Sequence, residues 1–260
     1  RNYHYQAAVA MEDVFDHKES HAQEIAHHYE LAQVKHKAGD YYLIAGRYYR
    51  DQYNFPRATD CFQKALKLRE ELNQFQDMVD VLNAWAELLI LQGEQAHMDK
   101  AMELLNRSTE ICSLLERTPN QLTANTLHVK ANLLIELSRY DEAKVLLQDT
   151  LDIYQTCMPG DLAIIAEVTH DLANLYEENV NKEEAIKLYK KAISLWEECE
   201  QCEGPQIADS MNDLARVLAD LDMREEAEEY FIKAMKIREK TLGAKHVELT
   251  ETLNDYANFL

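Results

Sequence analysis

Turn-forming residues are scarce in this 260-residue sequence, which holds 6 glycines and 4 prolines, far below average usage. Few turns and few strands follow. Basic residues are also scarce: 27 Lys plus Arg stand against 47 Asp plus Glu, a net charge of -20. A surface this acidic repels phosphate backbones and anionic membranes, so nucleic-acid and membrane partners are not expected. No apolar run reaches membrane-spanning length, and the first residues lack the charged-then-apolar pattern of a secretory signal. The cysteines, Cys61, Cys112, Cys157, Cys199 and Cys202, are odd in number and irregular in spacing. That argues against a disulfide framework and for a reducing, cytoplasmic compartment. A Gly-rich phosphate loop, Gly-x-Ser-x-Gly and His-Glu-x-x-His are all missing, so the chain is not expected to be an enzyme, with no catalytic residue and no cofactor.

What is present is helix-forming and repetitive. Ala, Leu, Glu and Lys dominate, and these are strong helix formers. The chain begins at Arg1 without a Met and ends abruptly on "LNDYANFL", so a piece of a longer protein is expected. Aligned backwards, that octapeptide matches "MNDLARVL", "THDLANLY", "LHVKANLL", "LNAWAELL" and "YLIAGRYY". Their shared small residue is Ala257, Ala215, Ala173, Ala131, Ala86 and Gly46. A second register of small residues reads Ala58, Ala101, Ala143, Ala185 and Ala227. Four residues later come Phe62, Leu105, Leu147, Tyr189 and Phe231, and seven later Ala65, Ser108, Thr150, Ala192 and Ala234. Offsets of four and seven share one helical face. Small–large–small stripes let two helices approach closely. Each unit is therefore read as a first helix, a polar turn, a second helix and a connector.

This spacing resembles the tetratricopeptide repeat, best matched by Tyr42, Gly46, Tyr49, Ala58, Phe62 and Ala65. The period of about 42 residues is longer than the usual 34 and is similar to the kinesin-light-chain subtype, matched by Leu242, Gly243, His246, Leu253, Asn254 and Ala257. The fold expected is all-α, a right-handed superhelical solenoid of antiparallel helix pairs. Residues 39–260 would form five repeats plus the first helix of a sixth, with Leu253, Ala257 and Leu260 packing on the helix at 225–240 as a cap. Residues 1–38 are expected to be an irregular helical segment with the stripe Ala22, Ile25, Ala26, Tyr29 and Ala32. That segment weakly resembles the entry to helical arrays of STAND-type ATPases.

The resemblance implies that the first helices line an inner face. One column there reads Leu43, Asn83, His128, His170, Asn212 and Asn254, and a second reads Arg47, Glu87, Asn132, Asn174, Arg216 and Asn258. Asn and His are poor helix formers, so their recurrence asks for a reason. Each Asn offers both a donor and an acceptor, suited to the backbone of an extended peptide. Arg47 and Arg216 suit an acidic side chain or a terminal carboxylate. The alternative is that Asn and His bond one another between repeats. A third column, Asp40, Asp80, Asn125, Glu167, Asp209 and Glu251, would favour a basic flank on the ligand. The function expected is a protein–protein interaction scaffold or adaptor binding an extended or helical segment, with self-association also compatible. Alternatives are a regulatory or oligomerisation arm of a STAND-type ATPase and a cargo adaptor like kinesin light chain.

Two smaller constellations are read as structural. Cys199 and Cys202 sit among glutamates, which raise a thiol pKa, and lack a second pair for zinc. His17, His21, Glu24 and His28 would share a face only on one continuous helix, and the simpler reading is an exposed polar face.

Overall fold

The computed structural model describes residues 1–115, 120–178, 181–199, 204–243 and 246–260, and within them the fold is an all-α helical repeat array. It divides into two compact units, Arg1–Leu137 and Ser138–Leu260. The first holds α1 (Asn2–Val14), α2 (Ala22–Leu31), α3 (Lys35–Asp51), α4 (Phe55–Leu72), α5 (Phe75–Gln92), α6 (Gln95–Leu115) and α7 (Gln121–Glu136). The second holds α8 (Tyr140–Cys157), α9 (Leu162–Glu178), α10 (Lys182–Glu198), α11 (Pro205–Asp220), α12 (Arg224–Leu242) and α13 (Val247–Phe259).

Within the first unit α3 pairs with α4 and α5 with α6, and α5 also touches α7. Within the second, α9 pairs with α10 and α11 with α12, and α11 touches both α9 and α13. First helices thus meet first helices of the next repeat, which is how stacked repeats share a core. Every member of the small–large–small stripes from Ala58 to Ala234 is fully or almost fully buried. The stripe Ala22, Ile25, Ala26, Tyr29 and Ala32 is buried too, and α2 packs on α3. Gly46 shows why one copy carries glycine: a Cβ there would overlap the Phe62 ring.

The turns follow from local chemistry. Gln33, Tyr53, Asn73, Ser138 and Asp222 take positive φ, as does Gly93. At Tyr53 the amides of Tyr53 and Asn54 return to the carbonyls of Arg50 and Tyr49. That double return closes a helix by satisfying its last carbonyls. Asn120 and Asn181 cap α7 and α10 through their side-chain oxygens, as short polar side chains do at helix starts.

The end of the chain departs from expectation. Leu253, Ala257 and Leu260 are exposed, while Leu249 and Thr252 are buried. Tyr256 and Phe259 meet Phe231, with ring centroids 5.7 and 5.6 Å away. The place of Ala257 is the one that Gly46 of α3 turns to Phe62 of its own second helix, so it is not the face that covers α12.

Candidate functional site

Position on the helix decides the fate of each column. Take the small residue of a first helix as reference. Three residues before it stands the first column, at the seam with the next repeat. In the first unit Asn83 is 6% exposed. Its Nδ2 donates to Thr126 Oγ1 at 3.0 Å and its Oδ1 accepts from Ser108 Oγ at 2.8 Å. Ser108 comes from α6 and Thr126 from α7, so one side chain ties three helices. His128 is also buried, and Leu43 is half-buried.

In the second unit the seam between α9 and α11 is ionic. His170 Nδ1 lies 3.0 Å from Ser210 Oγ, and its Nε2 lies 3.1 Å from Asn174 Nδ2 and 3.7 Å from Asp213. Asn174 and Ser210 thus hold the two ring nitrogens of His170. Tyr189 OH sits 2.5 Å from Asn174 Oδ1 and 2.8 Å from Glu177 Oε2. Arg216 reaches Glu177 at 2.9 Å and Asp213 at 3.6 Å. Burial raises the Asp213 carboxyl above its ordinary value, against the pull of His170 and Arg216. The seam between α11 and α13 differs again. Asn212 Nδ2 donates to Asp255 at 2.8 Å, and the buried Asn212 Oδ1 finds no partner among the described residues.

The first column therefore turns into the seams at Asn83 and Asn212, and halfway at His170, while His128 is buried on α7. The second column turns outward. Arg47, Arg216 and Asn258 are exposed, Asn132 and Asn174 are half-buried, and Asn254 of the first column is exposed. Asn174 already serves His170 and Tyr189, so its amide is less available than that of Asn132.

The third column is partly engaged from within. Asp40 accepts from Arg69 and Asp209 from Arg238. Arg69 and Arg238 are 3% and 5% exposed. Arg69 also reaches Gln74 at 2.7 Å and Asp77 at 3.3 Å, and Arg238 reaches the Glu248 carbonyl at 2.8 Å and Thr252. A buried guanidinium needs such partners. The signal was in the sequence: both arginines stand eleven residues after the small residue that opens their helix, where the other copies carry Cys112, Tyr154 and Trp196. Two of the six acidic or amide rungs thus neutralise buried charge.

The histidine quartet does not share a helix. His17 precedes a short 3-10 turn, His21 precedes α2 and stacks on Phe15 with centroids 3.8 Å apart, and Glu24 and His28 lie on α2. Among the described residues no three His, Cys, Asp or Glu side chains are grouped to hold a metal. Cys61, Cys112 and Cys157 are free thiols, and burial pushes Cys61 up to about 11. Cys199 is disulfide-bonded, against the expectation of reduced thiols throughout. Cys202 lies outside the described residues. No helix of the described residues is long and apolar enough to cross a membrane.

Comparison with known proteins agrees with this architecture. No curated protein matches the chain. Among solved structures it is similar to BtubC (BKLC) from P. vanneervenii, at 18% identity, a TM-score of 0.71 and 94% of each chain covered. A putative kinesin light chain of Podosopora anserina with nearly identical TPR-like repeats is 19% identical, with a TM-score of 0.60 over 76% of this chain and 94% of that one. A Rap protein complexed with competence and sporulation factor is 16% identical, with a TM-score of 0.62 over 99% of this chain and 85% of that one. One tetratricopeptide repeat model matches residues 122–198, 164–240 and 206–258, and another matches 40–76. With more than half of its length matched in this way, the chain belongs to the tetratricopeptide repeat family.

Proposed function

We propose that this protein–protein interaction array holds an extended or helical segment of a partner along the outward column of its first helices. In the first unit the contacts are Arg47 and Asn132, positioned by the seam residue Asn83 and beside the buried His128. In the second they are Arg216, Asn254 and Asn258, positioned by His170, Asn174 and Asn212. The observation that supports this reading is the split between Asn83 and Asn212, bonded in the seams, and Arg47, Asn132, Arg216 and Asn258 of the next column, which stand exposed or half-exposed together with Asn254. Amides and guanidinia recur in the exposed column, where Lys and Glu would serve a bare surface better. They suit a partner's backbone and its acidic side chains. The exposed Glu167 and Glu251 would favour a basic flank. The reading assigns no catalytic step to the array. A Rap protein of similar fold is found complexed with competence and sporulation factor, which supports a protein or peptide partner.

A peptide-library screen of the full chain tests it. Arg47→Ala with Asn132→Ala, and Arg216→Ala with Asn258→Ala, should each weaken selected ligands by about tenfold or more. Lys236→Ala, on the exposed side of α12, should not. Ligands whose binding ignores both pairs and responds to Lys236→Ala would sink the proposal.

A further inference from the structure

Helix α1 is thinly attached. Of its 13 residues only Ala8 is buried. Beyond the apolar contacts of Ala8 and the partly buried Met11, its grip is polar: His4 Nδ1 lies 3.0 Å from His28 Nδ1 on α2, Arg1 Nε donates to the Ala32 carbonyl at 3.0 Å, and Lys37 Nζ donates to Glu12 at 3.2 Å. Tyr5 adds an edge contact to the buried ring of Tyr29 at 6.2 Å between centroids.

The His4–His28 contact has an exact proton requirement. A bond between two ring nitrogens needs one donor and one acceptor, hence one proton between them. When both imidazoles are protonated, two donors and two positive charges face each other. The surroundings do little to relieve this. Tyr3 sits at the His4 ring, His27 stands beside His28, and Arg1 precedes α1. His28 also lines a cavity of about 420 Å³ into which Glu24, His27, Tyr42 and Lys64 reach. Glu24 favours protonation and Arg1 and His27 oppose it, while Lys64 is paired with Asp60 at 2.8 Å. Partial burial, then His28 and His27, hold His4 below its ordinary value.

The geometry points to a one-proton clasp: mild acid, by protonating both His4 and His28, releases α1 from α2. The sign follows from linkage. A histidine depressed in the docked state takes its proton more readily once released, so docking is at full strength above the ordinary value of 6.5 and weakens as pH falls through it. The other ionic tie does not share this window. Despite its burial, Glu12 is held below its usual 4.5 by hydrogen bonds from Tyr29, Tyr41 and Lys37, so it stays ionised where the imidazoles titrate. Release would uncover Tyr29, which is fully buried in the docked state.

Hydrogen exchange on the full chain, corrected for intrinsic rates, tests the clasp at about pH 7.5 and about pH 5.5. Peptides from residues 2–14 should lose protection by about tenfold at the lower pH while α3 to α6 keep theirs. His4→Gln and His28→Gln, which bond without titrating, should abolish that response. NMR titration of the wild-type imidazoles needs no variant: His4 should show a midpoint below 6.5 that coincides with the loss of protection. The proposal is overturned by a wild type that keeps α1 protected, by a response surviving in both variants, by acid loss throughout the first unit, or by a His4 midpoint at or above 6.5. A zinc-dependent rise in Tm that needs both His4 and His28 would overturn it in favour of a metal clip.

Discussion

Two seams built on the same positions, one in each unit, use different chemistry. In the first unit Asn83 is satisfied on both sides by Ser108 and Thr126. In the second, the matching residues are Asn212, Ala234 and Thr252. Alanine supplies no hydroxyl, and Thr252 is claimed by Arg238, which stands where the first unit has Cys112, 3.8 Å from Thr126. Asn212 therefore turns its amide to Asp255 and leaves Oδ1 unpaired. The lesson is that the polar residue at this position belongs to the seam. Its partners vary with the second helix.

The comparison can be broken most forcefully at the helix crossing. Gly46 faces Phe62 in the first unit, and Ala215 occupies the matching place opposite Phe231 in the second. Gly46→Ala should cost about 1–3 kcal/mol, because the Phe62 ring has to shift within a packed core. Trp85 and Trp196 lie in different units, so Trp85→Phe and Trp196→Phe backgrounds give each unit its own fluorescence readout in urea. A cost confined to the Trp85 signal is expected. A negligible cost would mean that the first unit tolerates the closer approach that the second uses.

The seams themselves give the next effect, in opposite directions. Ser108→Ala would leave buried Asn83 Oδ1 without its donor, at a cost of about 1–3 kcal/mol. Ala234→Ser offers the orphaned Asn212 Oδ1 a donor and should stabilise the second unit by about 0.5–1.5 kcal/mol. If both substitutions destabilise equally, the two seams are not equivalent and the shared register means less than claimed.

The fold was legible because packing leaves a periodic trace. The stripe Ala58, Phe62 and Ala65 and its four later copies occupy the core as their spacing required. The columns were half legible. Spacing identified Asn83, His128, His170 and Asn212 as equivalent, but equivalence does not say whether an amide meets a ligand or a neighbouring hydroxyl. That depends on Ser108, Thr126 and Ser210, whose contacts lie 18 to 43 residues away in sequence. The Arg69–Asp40 and Arg238–Asp209 pairs were within reach, since a charged residue in an otherwise uncharged buried column asks for a partner. The clasp of His4 on His28 was not, because nothing in a helical period aligns α1 with α2.

The smallest expected effect separates turn chemistry from packing. Gly93 in the first unit and Ser138 and Asp222 in the second all take positive φ at the end of a helix. Glycine enters that region without a Cβ penalty, while aspartate is helped there by its short polar side chain and serine less so. Ser138→Gly, at the turn that ends α7, should therefore stabilise the chain by about 0.5–1 kcal/mol, and Asp222→Gly by less. Both residues are exposed, so packing cannot confuse the readout. Urea midpoints of the whole chain, followed by circular dichroism, should rank Ser138→Gly above Asp222→Gly above wild type. The reverse order would mean that Ser138 contributes something in its turn that its backbone conformation does not explain.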